Sequence, residues 1–171
     1  MLSAFHRGAV AAAAVLIAGG AAFAAGPPAS NDPAAPVAAL YAAEQAGRPA
    51  LADAGLRAET LTHGLAALYG KAEAVQRATG DAVIDFDAVT NSQGLEVKSY
   101  RLKIERRNPT HAVVVATMDP GDWGRASPRE NVITFSLVTE GGRWRVDDIS
   151  GVAEPSLWSL RDILIHNLRQ P

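Results

Sequence analysis

The side chains with the most chemical potential in this 171-residue chain are carboxylates, and they come in pairs. Asp85 and Asp87 stand on alternate residues of a loop-like stretch. Two carboxylates so placed can bind a cation, divide acid and base roles, or accept the backbone N–H groups of the turn that follows. A calcium loop counted from Asp85 fails, because position five is Val89 and the glycine needed at six is Thr90. Asp147 and Asp148 form the second pair. Strict strand alternation places Asp148 on the face of Trp144 and Val146, pointing inward. At the apolar mouth of a pocket its pKa would be raised by desolvation, which suits a general base. The alternative is a strand end where Asp148 satisfies backbone donors or an arginine. Glu44 shares a helical face with Val37, Leu40 and Tyr41, which aims it inward, yet its place in the last turn favours escape to solvent.

Tyr41, Tyr69, Tyr100, Trp144 and Trp158 are aromatic candidates for a pocket wall, although aromatics at helical or strand spacing usually build core. Trp123, in the proline- and glycine-containing stretch 119–130, reads as a lid, an interaction anchor or a cover over the sheet edge. His6, His63, His111 and His166 have no metal-ligand spacing, and the absence of cysteine removes disulfides, thiolate ligands and thiol nucleophiles. No Gly-x-Ser-x-Gly, phosphate loop or dinucleotide fingerprint occurs. Neither a metal nor a cofactor is therefore expected. A net charge of −2 gives no electrostatic reason to expect a nucleic-acid partner.

The elements that must hold these residues follow from periodicity. Pro36 suits the first turn of a helix that Gly47 and Pro49 end. A second helix is predicted from near Thr60 to Gly80, with Leu61, Leu65, Leu68, Tyr69, Ala72 and Val75 along one stripe. From residue 95 the period changes to two. Tyr100, Leu102 and Ile104 mark one strand, with a bulge near Lys98-Ser99, and His111–Met118 marks its return. Ile133, Phe135 and Leu137 mark the third strand, Gly141-Gly142 a tight hairpin, and Trp144 and Val146 the fourth. Pro155 opens a last helix bearing Leu157, Leu160, Ile163, Leu164 and Leu168. The fold class is α+β: N-terminal helices packed on a curved antiparallel sheet of about four strands, with a C-terminal helix. The second face of strands two and three leaves two options, a homodimer through the sheet or a cover of the chain's own helices.

Residues 1–24 read as a secretory signal peptide. Arg7 supplies the positive start, Ala9–Ile17 the apolar core, and Ala22-Phe23-Ala24 the small residues for cleavage after Ala24. The core is shorter than the roughly 18–20 apolar residues of a membrane span. A periplasmic or secreted protein with no stable membrane anchor is expected, with a flexible leader over 25–35 and one domain over 36–171.

Two stretches carry a family likeness: Asp85-Phe86-Asp87 with Asn91-Ser92-Gln93, and Gly141-Gly142-Arg143-Trp144-Arg145-Val146-Asp147-Asp148-Ile149 after the apolar strand ITFSLV. With Tyr41, they resemble a family of secreted bacterial proteins known as a domain of unknown function, with the cone-shaped fold of the nuclear transport factor 2-like superfamily. The likeness covers about residues 35–168 and departs at Gly94, where the family pattern has an aspartate. It implies a curved sheet around helices with a pocket at the wide end, and it brings Gln93 into the candidate set. It implies no reaction, because the fold serves enzymes, binding modules and dimerisation domains alike. The expected function is a non-enzymatic binding protein for a small molecule or a protein partner. Its candidate residues are Tyr41, Glu44, Asp85, Asp87, Gln93, Trp144 and Asp148. The alternatives are a small pocket enzyme (an isomerase, dehydratase or hydrolase) with Asp148 as base, and a homodimeric interaction module.

Overall fold

The computed structural model describes residues 31–94, 97–119 and 127–169. The predicted signal peptide over 1–24, most of the predicted leader and Trp123 lie outside the described residues. Helix α1 (Ala34–Gln45) starts where Asp32 accepts the Ala34 N–H at 2.9 Å, two residues ahead of Pro36. It ends as Gly47, at φ +69°, returns its N–H to the Glu44 carbonyl. The stretch predicted as one helix from Thr60 is preceded by two elements that periodicity did not reveal. A single 3₁₀ turn covers Ala50–Ala52, and α2 (Ala54–Thr60) is capped by Asp53, which accepts from Gly55 and Leu56. Thr62 then caps α3 (His63–Thr79), and Gly80 at φ +84° closes it. Leu65 and Ala72 of the expected stripe are buried, but Val75 is exposed.

The strands β1 (Ser99–Arg107), β2 (His111–Asp119), β3 (Val132–Glu140), β4 (Arg143–Ala153) and β5 (Ser156–Ser159) form one open antiparallel meander in chain order. The fold is α+β with five strands rather than four, and α4 (Leu160–Asn167) follows them. Pro155 does not open that helix. It sits in the turn between β4 and β5, and Leu157, expected on the helix's apolar side, is 79% exposed on β5. Gly141 and Gly142 both have positive φ, as the two-residue β3–β4 hairpin requires. The β1 bulge falls between Ile104 and Arg106 rather than at Lys98-Ser99. A second bulge falls between β3 residues Ser136 and Leu137, which face Asp148 and Val146 across the ladder.

Alternation puts Ala112, Val114, Ala116, Ile133, Phe135, Leu137, Val146 and Ile149 on one face, buried against Val37, Leu40 and Tyr41 of α1, Leu65 of α3 and Leu164 of α4. The opposite face keeps Val113, Val115, Thr134 and Val138 half-buried and Ser136 exposed.

Candidate functional site

A cleft of about 770 Å³ opens where α1 ends. One wall is the end of α1 with the segment after it (Glu44, Gln45, Gly47, Pro49, Leu51, Ala52). The second is Tyr69 and Gln76 of α3, and the third is the loop after α3, from Ala82 through Asp85, Phe86 and Asp87 to Ser92, Gln93 and Gly94. Of the seven residues singled out in the sequence, Glu44, Asp85, Asp87 and Gln93 meet here, while Tyr41, Trp144 and Asp148 do not.

Glu44 does not escape to solvent. The turn at Gly47 brings the chain back so that the Ala50 N–H donates to Glu44 Oε1, and the side chain lies along the cleft wall, half-buried. Asp87 fulfils the turn-capping expectation. Its Oδ1 accepts from the amides of Val89 (2.7 Å) and Thr90 (3.3 Å), and its backbone exchanges two hydrogen bonds with Ser92. This turn is fixed from beneath, since Ala88, Val89 and Thr90 are buried and the Tyr41 hydroxyl donates to the Val89 carbonyl at 2.9 Å. Asn91, at φ +52°, donates to the carbonyls of Val152 and Glu130, tying the loop to β4. Capping and site-building are thus compatible, because the Asp87 carboxyl also lines the cleft beside that of Glu44 and acts on its charge.

Two carboxylates so placed repel each other when both are ionised, so the pair holds a proton to higher pH than a lone acid does. Burial, then the charge of Asp87, pushes the Glu44 carboxyl up to about 7. Burial also raises Asp87, against the lowering effect of the Val89 and Thr90 amides. Tyr69 stands beside the pair. Burial first, and the nearby Asp87 charge second, push its hydroxyl up to about 12, so it stays a neutral donor. Behind it, Arg57 lies 4.9 Å from the Tyr69 ring centroid and forms a two-pronged ion pair with Glu73, at 2.9 and 2.7 Å. Arg57 also donates to the Leu51 carbonyl, so one buried guanidinium braces two walls of the cleft. Sequence reading named Tyr69 among the aromatics that could line a pocket, and Tyr69 lines this one, but it missed Arg57 and Glu73 as parts of the site. The sixteen-residue separation of Arg57 and Glu73 crosses two helices and leaves no local pattern.

The other three candidates do different work. Tyr41 is fully buried, stacked on Tyr100 with centroids 4.6 Å apart, and acts on the cleft only by holding the Asp87 turn. Trp144 lines a separate cavity with Arg107 and Thr139. Asp148 is no pocket base. The bulge at Asp147 breaks the alternation, so Ile149 rather than Asp148 takes the inward position after Val146. The Asp148 carboxylate accepts from the Arg161 amide (2.9 Å), the Ile149 amide (2.9 Å) and the Ser159 hydroxyl (2.7 Å), holding the start of α4. Asp147 accepts from Thr62 Oγ1 and pairs with Arg161, linking the starts of α3 and α4 to β4.

Among the described residues, no three His, Asp or Glu side chains gather as a metal-binding group. Comparison of the chain with protein-family models, with curated protein sequences and with solved structures gives no significant match.

Proposed function

We propose that the chain is an exported, non-enzymatic binding protein that takes a small molecule into the cleft at the end of α1, on a domain of the nuclear transport factor 2-like kind. The observation that carries this reading is the Glu44–Asp87 carboxyl pair, held in the wall of an open cleft by backbone amides from two separate segments. Withdrawing two neighbouring carboxyls from water is costly, and the backbone amides that hold each of them do not relieve their mutual repulsion. A ligand that meets the pair would relieve it. The apolar side of the cleft, with Leu51, Ile84 and Phe86, would take the ligand's hydrocarbon surface.

The same pair favours one alternative. A protonated carboxyl beside an ionised one offers a donor and an acceptor near neutral pH, the arrangement that acid–base catalysis needs. Catalysis through Asp148 has no such support, since its carboxylate is occupied at the start of α4.

A thermal-shift screen of a metabolite library tests the binding reading. Ligands of the cleft should raise the melting temperature of the wild-type protein and lose most of that effect on Glu44→Gln and Asp87→Asn. Hits indifferent to both substitutions would place the binding site elsewhere. Turnover of a hit, lost in both variants, would favour the catalytic alternative.

A further inference from the structure

The cleft has two chemically distinct sides. Leu51, Ile84 and Phe86 give one apolar side, while Glu44, Asp87 and the exposed Asp85 give the other. Among the described residues that line it there is no lysine, arginine or histidine. Glu44 also sits in the last turn of α1, where the helix dipole presents its negative end. An anionic ligand would meet only like charge here, and a wholly neutral one would leave the carboxyls without a counter-charge.

We propose that the cleft's ligand is a small organic cation, whose ammonium group binds against Glu44 and Asp87 while its hydrocarbon part lies on Leu51, Ile84 and Phe86. This rests on the binding reading above and names its ligand class. The balance is simple. The ligand enters with one positive charge, the Glu44 proton leaves to solvent, and the pair passes from one negative charge to two. The ammonium donates to the two carboxylates, so recognition is tied to pH. The ionisable groups around the pair are Tyr69 of α3, Arg57 of α2 paired with Glu73 of α3, and Asp85 of the loop. Arg48 and Asp53 pair with each other at 3.8 Å in the segment after α1, and the Lys98 carbonyl accepts from Gln45 at 3.3 Å. Arg57, the cation placed closest behind the site, is already engaged by Glu73 and Tyr69 and leaves the pair's charge for the ligand.

Isothermal titration calorimetry tests this with hexylamine as the probe, against hexan-1-ol and hexanoate, in buffers of differing ionisation enthalpy. Hexylamine should bind saturably and release about one proton near pH 6, falling towards none near pH 8.5, where the pair is already ionised. Glu44→Gln and Asp87→Asn should each weaken it by about tenfold or more and abolish the release. Glu44→Gln keeps an acceptor for the Ala50 amide, and circular dichroism checks that both variants fold. Amine binding without proton release, or with unchanged affinity in both folded variants, overturns the proposal. So does failure of hexylamine to bind up to about 10 mM. If hexan-1-ol or hexanoate binds instead and depends on Glu44, the cation class falls and the binding reading stands. If no probe binds and the thermal-shift screen gives no Glu44-dependent hit, both fall.

Discussion

The carboxyls of Glu44 and Asp87 line one cleft, one from the last turn of α1 and the other from the loop after α3, close enough for each to act on the other's charge. Each has an independent anchor, the Ala50 amide for Glu44 and the Val89 and Thr90 amides for Asp87. The pair therefore brings together two segments that are more than forty residues apart in the chain, and its charge changes as Glu44 titrates.

The Glu44 proton makes stability depend on pH. Glu44 has an ordinary value of 4.5 and is pushed up to about 7 by burial and by Asp87. Between those values the folded protein keeps a proton that the unfolded chain has lost. The stabilisation from this group is complete below about 4.5 and is lost as pH rises through about 7. Asp87 is raised as well and acts with the same sign. Urea unfolding from pH 4.5 to 8 should show this decline in the wild type and a flatter profile in Glu44→Gln. Identical profiles would show that Glu44 holds no extra proton in the fold.

Removing the partner of the buried Arg57 should be costly. Its side chain is 7% exposed, and Glu73 meets it with both oxygens. Glu73→Ala should lower stability by about 2–4 kcal/mol in denaturant titration, since it leaves a desolvated guanidinium uncompensated. The same variant should weaken ligand effects in the screen, because Arg57 braces both Leu51 and Tyr69.

Asp148→Ala should act on stability and not on binding. It leaves the Arg161 amide and the Ser159 hydroxyl without their acceptor, a loss of about 1–3 kcal/mol. Thermal shifts produced by cleft ligands should keep their size relative to the new baseline. Loss of those shifts in a folded Asp148→Ala protein would restore Asp148 to the site.

Gly151 is held to glycine by a neighbour. A Cβ there would stand 2.7 Å from Trp158 Cζ2 and 2.9 Å from Cε2, on a rigid ring that also packs edge-on against Phe86 of the cleft. Gly151→Ala should destabilise by about 1–3 kcal/mol, read from the urea midpoint, and alter the near-ultraviolet tryptophan signal.

Much of this arrangement was legible in the residues themselves. Period-two alternation marked four of the five strands, Gly80 marked the end of α3, and Gly141-Gly142 marked the hairpin. Glu44 was legible as an acid on the face of Leu40 and Tyr41, and Asp85, Asp87 and Gln93 as a polar motif between helix and sheet. Asp148 was misplaced because alternation assumes a regular strand, and the single bulge at Asp147 reverses every side chain after it. β5 is too short, at four residues, for a periodic signal. The α2 cap at Asp53 was a readable sign that went unused. The Arg57–Glu73 brace was not readable at all, because tertiary packing alone brings the two helices together.

The central claim is that Glu44 keeps its proton to near neutral pH because it is buried beside Asp87 at the cleft wall, and carboxyl carbon-13 NMR of the folded protein tests it most directly. The account predicts that the Glu44 carboxyl titrates near 7 in the wild type, and that Asp87→Asn, by removing the neighbouring charge and supplying an amide donor, moves it down towards the ordinary range. A wild-type Glu44 that titrates at its ordinary value near 4.5, unmoved by Asp87→Asn, would contradict it.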